Sequence, residues 1–559
     1  MKNALYVRNE ELNLSLTDPS DGMTSPTAAD MAVGSVAAGV SDRKLQQFSP
    51  TRARMSQLGS LRIKTWSIPS LRLALLSLLA VAVHGYHLGA DDAGIYLPAV
   101  FQVIHPDLYP YGAEFFRAHA RRSQFALVVG TSARMTALND DLIIFLWHIA
   151  TILLFLLAAW QLAAIFFHSE RARWSAVLLS AAVLTVPVAG TALVIMDPYL
   201  TSRSASTPLT MFAVAAWLAN QRARAISWIV LAFLVHPLMA AYGLLCLAIL
   251  AIPETWTNRL FRLGSSDVSS SAAAVIPAAF SFGPVDPGYR QALFTRTFLF
   301  LSEWAWWEWI GVVAPLAILV TLGSWTLRGT TPEFRRMSRA LVLLGLLATL
   351  FGLIFSLPAM DGFVWLQPMR AFHLIYIVFF LLFGGLLGEF LLKSRYWLWI
   401  GVLASLACGM FSIQSLVYPD SRHVEWPGAS PTNPWVSAFE WVRGNTPQNA
   451  VFALDPNYII LPGEDGHGFR AIAQRSVLSD YYKDSGVVSL FPELAPEWQR
   501  EQLAQQGWSH FSLADFQRLA TQYPVSWVVL QGAAPAGLDC PYRNRAVTVC
   551  RIPGSVGLK

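Results

Sequence analysis

Apolar residues in this chain fall in long runs separated by short polar stretches. A helix that crosses a bilayer needs roughly 20 predominantly apolar residues. Nine runs approach that length, at about 71–90, 142–167, 174–196, 205–220, 226–252, 309–327, 340–357, 371–392 and 396–417. The fourth is short. The fifth is long and is interrupted by His236-Pro237. Proline removes a backbone donor and favours a kink, so this run reads as one bent helix or two short ones. After Tyr418 the pattern changes, and prolines, charges and amides return. There 435–443 has helical periodicity, 450–454 and 525–530 read as short buried strands, 513–521 as a helix, and 547–552 as a last strand. Ahead of the first run, residues 1–65 are rich in small and polar residues without periodicity and read as a disordered tail. The pattern predicts a mainly α, polytopic helical membrane protein of about nine spans over 66–418, followed by a small α/β domain over 419–559.

Charge supplies the direction. Arg52, Arg54, Arg62 and Lys64 precede the first run. Later basic loops carry Arg171 and Arg173, then Arg222 and Arg224, then Arg328, Arg335, Arg336 and Arg339, then Lys393 and Arg395. They follow every second run, on the side of the tail, which the positive-inside bias makes cytoplasmic. Nine spans that start inside end outside, so the C-terminal domain is expected to be extracytoplasmic. The first apolar run begins too late for a cleavable signal peptide. Composition agrees: 54% of residues are hydrophobic and 13% charged, where a soluble domain carries about 25% charged residues. The net charge of +5 is spread over short loops. It reads as topology information and gives no nucleic-acid footprint. Cys246 and Cys408 lie in apolar runs, and Cys540 and Cys550 lie in a polar context near the end. In an oxidising compartment the last two are candidates for a disulfide.

Candidate chemistry gathers in the loops assigned to the outer side: 91–141, 197–205, 253–308 and 358–370. The first opens on Asp91-Asp92. Adjacent carboxylates near the hydrocarbon boundary repel each other in a reduced dielectric. That favours a metal, a basic partner, or service as a general base. Within the same loop, 123–137 is mildly apolar, too short to span, and suited to lie along the interface. Tyr199 and Arg203 stand in the second loop, and Gln367 and Arg370 in the last. An arginine there grips a lipid-borne phosphate through paired hydrogen bonds or anchors its span at the headgroups. His236 is a helix-kink residue or a ligand contact. Glu114, His119, Glu303 and Glu308 carry no specific signal. Trp304, Trp306, Trp307 and Trp309 form an aromatic-belt candidate.

An acidic pair just after the first span, an interface helix and an outer domain after the last span together resemble the C-type multi-pass (GT-C-like) glycosyltransferase superfamily. Segments 92–98, 200–208, His236-Pro237-Leu238-Met239 and 367–373 look like a bacterial membrane-protein family of that outline with no activity to carry over. The superfamily resemblance implies transfer of a sugar from a polyprenyl-phosphate donor to an acceptor on the outer face of a bacterial inner membrane. Asp91 or Asp92 would then be base or ligand of a divalent cation such as Mg or Mn. Arg203 or Arg370 would hold phosphate, with Tyr199, Gln367, His236 and Glu114 as further contacts. Two other functions fit the same topology: a transporter or flippase of a lipid-linked substrate, and a non-catalytic envelope assembly protein. Transporters tend to show internal repeats and midplane charges. This chain shows no repeat, and only the His236-Pro237 break points that way.

Overall fold

The computed structural model describes residues 67–253, 255 and 285–555. The tail expected over 1–65 and most of the outer loop 253–308 lie outside the described residues. The chain divides into two units, Met1–Arg72 and Leu73–Lys559. The second holds the whole of the helical core and the sheet.

Helices dominate up to residue 417. They are α1 (Ser67–His84), α2 (Ala93–Ile104), α3 (Glu114–Ala120), α4 (Phe125–Thr136), α5 (Asp140–Phe166), α6 (Glu170–Ala182), α7 (Ser202–Leu218), α8 (Arg222–Val235), α9 (Pro237–Ala251), α10 (Pro287–Phe294), α11 (Trp306–Ser324), α12 (Pro332–Phe355), α13 (Ala371–Leu386) and α14 (Tyr396–Val417). Among the described residues, five helices are long and apolar enough to cross a membrane: α5, α11, α12, α14, and the continuous stretch Pro358–Leu392 that contains α13. The expectation of nine full spans is met only in that coarser form. The run at 174–196 is helical only to Ala182, and 183–201 continues as buried turns. The run at 226–252 divides into α8 and α9, because Pro237 cannot continue the ladder of α8. There His236 adopts an extended backbone, and its Nδ1 accepts the Met239 N–H, capping α9.

One hydrophobic core joins α1, α5 to α9 and α11 to α13, with Phe155, Phe166, Phe334 and Phe372 among its fully buried side chains, while α2 and α4 pack in a second cluster with Tyr199 and Leu200. Helix α14 differs. Gln414 is its one buried residue, and Ile400, Phe411, Ile413 and Leu416 lie open. An apolar helix bare on nearly all faces is stable in hydrocarbon and costly in water. Trp306 and Trp307 are exposed in the same way, while Trp304 is buried against Gly190.

The C-terminal segment contains α15 (Pro434–Asn445), β1 (Val451–Leu454), α16 (Phe469–Ala473), β2 (Ser476–Val477), α17 (Lys483–Val488), α18 (Ala495–Ala504), α19 (Leu513–Gln522), β3 (Trp527–Gln531), β4 (Asp539–Arg543) and β5 (Val547–Arg551). Its five strands run in the order β2-β1-β3-β5-β4, parallel across β1 and antiparallel from β3 to β4. One face of the sheet packs on α15 through Phe439, Phe452 and Val529; the other packs on α19 through Val451, Phe516 and Val528. Cys540 on β4 and Cys550 on β5 are disulfide-bonded.

A strap at 85–92 connects this segment to the helices. Tyr86 pairs with Val424 as a parallel bridge, and Ala90 with His467 as an antiparallel one. The Asp91 N–H donates to the Gly466 carbonyl at 2.7 Å, and the Gly468 N–H to the Gly89 carbonyl at 2.9 Å. The backbones approach so closely that a Cβ on Gly468 would stand 2.7 Å from the Gly94 Cα.

Candidate functional site

The acidic pair sits at the end of this strap, where Asp91 takes a left-handed backbone (φ 49°) and Asp92 precedes α2. That bend directs both carboxylates to one place. Tyr199 donates to Asp91 Oδ2 at 3.0 Å. Arg203 Nη1 reaches Asp92 Oδ2 at 3.1 Å, and Lys483 Nζ touches both carboxylates, 3.4 Å from Asp92 Oδ1.

Arg203 is held from behind. Thr201 caps α7 by accepting the Ser204 N–H, which places Arg203 in the first turn. The Arg203 Nη2 then donates to both oxygens of Asp197, at 2.7 and 2.8 Å. Asp197 also accepts from the Thr201 and Ser204 hydroxyls, at 2.9 and 3.2 Å. A buried guanidinium is tolerable only with its charge paired, and this network supplies the pairing. Lys483 opens α17, which is anchored by the Arg470–Asp484 ion pair at 2.7 Å. Arg296 passes over Gly486, where a Cβ would lie 2.9 Å from the guanidinium carbon.

Burial pushes Asp92 toward its neutral form, but the guanidiniums of Arg203, Arg370 and Arg296 outweigh it. They hold the carboxyl below the usual carboxylate range. Asp92 is therefore ionised at neutral pH. Burial alone would draw the Lys483 ammonium down to about 7. Its contact with two carboxylates favours the charged form, so we assign it as an ammonium. Burial keeps His119 neutral, drawn down to about 4.

Arg296 and Arg370 each carry a buried Nε–H without an acceptor among the described residues, and the Gln367 Oε1 is buried without a donor. Buried donors on cations are costly when unmade. Both guanidiniums act by charge on Asp92, and each keeps an Nε–H able to donate to an anionic oxygen.

The structure brings together Asp91, Asp92, Tyr199 and Arg203, with Arg370 close enough for its charge to act on Asp92. His236 faces Tyr96 across 3.4 Å, in the field of Arg203 and Arg370. Glu114 goes elsewhere. It is half exposed and pairs with Arg121 at 2.9 Å and Arg117 at 3.6 Å, because α3 turns it to the surface. A cation at Asp91-Asp92 needs both carboxylates turned to it, with further oxygen donors. Lys483 fills that space and Arg203 closes another side, so the residues present do not fit a resident Mg or Mn ion. Sequence reading missed Lys483, Arg296 and Asp197. Asp197 lies six residues from Arg203 beside a helix start, which is a usable signal; the other two are remote in sequence.

No family model matches this chain, and no curated protein matches it. Among solved structures, the mycobacterial arabinofuranosyltransferase AftD aligns over 89% of this chain and 40% of its own length, with 13% identity and a TM-score of 0.44. A point mutant of that enzyme aligns over 89% and 42%, with 14% identity and a TM-score of 0.42. This chain spans less than half the length of those structures.

Proposed function

We propose that this chain is a membrane glycosyltransferase that moves a sugar from a polyprenyl-phosphate carrier to an acceptor hydroxyl at the outer face of the membrane. The observation that carries the reading is the acidic pair, with Asp92 held ionised by nearby guanidiniums, beside Arg296 and Arg370, whose buried Nε–H groups lack acceptors among the described residues. In the reaction an acceptor oxygen bonds to the anomeric carbon, and the bond from that carbon to the carrier phosphate breaks. The acceptor proton passes to Asp91, which Tyr199 orients. The departing phosphate gains charge, and Arg296 and Arg370 meet it. Asp92 stays ionised, fixes Arg203 and shares Lys483 with Asp91.

The first test is binding of undecaprenyl phosphate to the protein in nanodiscs. Saturable binding that weakens about tenfold or more in Arg370→Ala is expected, since a hydrogen bond to a charged group contributes about 1.5–3 kcal/mol. Binding no stronger than to an unrelated membrane protein would sink the lipid-phosphate reading. The break between α8 and α9 favours a second function, translocation of a lipid-linked substrate, because broken helices mark transport sites. Saturable binding with no sugar transfer to any acceptor, but with movement of the lipid across the bilayer, would select it.

A further inference from the structure

A second cluster of chemistry lies at the other end of the strap. The His467 Nε2 is 2.9 Å from Glu425 Oε1, and the His87 Nδ1 is 3.5 Å from the same oxygen. One ligand atom from each of the three residues lies within 4.8 Å of the other two. Both imidazoles are fully buried, with 0% of either side chain exposed. None of these residues belongs to the acidic-pair site.

His467 and Glu425 are each aimed by a second hydrogen bond, while the His87 Nε2 is buried without a partner among the described residues. The His467 Nδ1 meets the Glu464 carbonyl at 3.0 Å. In the neutral ring the proton therefore sits on Nδ1, and the Nε2 lone pair points into the cluster. The Glu425 Oε2 accepts the Leu88 N–H at 2.8 Å, which turns Oε1 inward. His87 is stacked on Tyr418, with ring centroids 3.7 Å apart. A tetrahedral zinc ion bonds nitrogen at about 2.0–2.1 Å, so its ligand atoms stand about 3.3 Å apart. The two contacts to Glu425 Oε1 bracket that spacing. On the open side, Glu425 lines a cavity of about 50 Å³ that also borders Arg422, Trp426 and Asn433. It has room for a water beside Glu425.

We propose that His87, Glu425 and His467 bind one divalent transition ion, zinc by the chemistry of two imidazoles and a carboxylate. The ion ties the strap, through His87, to two stretches of the C-terminal segment, at Glu425 and His467. The ligands come from three separate stretches of chain, so the free energy of metal binding becomes free energy of docking the strap. This inference does not depend on the transferase reading.

The test uses the full chain in nanodiscs, purified through a tag free of histidine, stripped with a chelator and titrated with Co²⁺ and then Zn²⁺. One equivalent of Co²⁺ with the intense visible bands of a tetrahedral site, displaced by one equivalent of Zn²⁺, is expected. His87→Ala and Glu425→Gln should abolish those bands. If either variant fails to fold, the titration of the unaltered protein decides alone. No bound equivalent, or octahedral weak bands only, would overturn the proposal and leave a His467–Glu425 ion pair. Retention of the bands in folded His87→Ala and Glu425→Gln would overturn it as well.

Discussion

Asp92 is ionised because of the cations around it, and a change at this residue should be read in catalysis before stability. Asp91→Asn is expected to lower sugar transfer about 10²–10⁴-fold at unchanged protein abundance, the range for loss of a proton-transfer group, and Asp92→Asn to lower it by releasing Arg203 and Lys483. Transfer at the original rate in both variants would remove the acidic pair from the mechanism. Gly486→Ala tests Arg296 without touching its charge. The new Cβ would stand 2.9 Å from the guanidinium carbon, so Arg296 must shift, and lipid-phosphate binding should weaken while the fold persists. Asp480 gives a pH signature. Burial and the neighbouring Asp484 carboxylate push its pKa up to about 7. Its proton is thus held in the folded state at pH values where the unfolded chain has already released it. This contribution to stability is full below the ordinary carboxylate range and is lost as pH rises toward about 7. Asp480→Asn, which keeps the oxygen that accepts the Lys483 N–H, should flatten the fall in melting temperature between pH 4.5 and 7.5. An equal fall in both proteins would contradict the assignment.

Among elements, the strap at 85–92 has the largest consequence for its length. It contains no helix and no extended strand, yet its backbone bonds to 423–425 on one side and to Gly466 and Gly468 on the other set where the acidic pair points. Crowding its crossing point should therefore disable the site before it unfolds the sheet. Gly468→Ala would place a Cβ 2.7 Å from Gly94 Cα. A destabilisation of about 1–3 kcal/mol and a larger loss of transfer are expected, measured by thermal unfolding beside an activity assay. Unchanged activity would show that the crossing does not position Asp91 and Asp92. Helix α14 is the contrasting case. Its one buried side chain is Gln414, so solvent more than packing decides its stability.

For the whole molecule, α14 also separates two faces that labelling distinguishes. Ser394 and Ser430 are exposed on either side of it. With the C-terminal segment outside, Ser430→Cys in intact cells should react with an impermeant maleimide, and Ser394→Cys only after lysis. The reverse pattern would invert the orientation. Helices were legible along the chain because a long apolar run records its environment residue by residue. The helix 435–443, the strands at 450–454 and 547–552 and the break at His236-Pro237 were legible for the same local reason. Length was less so: the run at 174–196 has the composition of a span but is helical only to Ala182, because packing can bury turns as well as helices. By itself the sequence determined the alternation of apolar helices and basic loops, the small mixed domain, and the local chemistry of Asp91-Asp92 and Arg203. Only tertiary structure decided that Lys483 stands between those carboxylates, that Arg296 and Arg370 share their field, that Glu114 faces away, and that His87, Glu425 and His467 converge. These partners lie tens to hundreds of residues apart, and no periodicity or spacing encodes a contact that arises only when separate segments pack together.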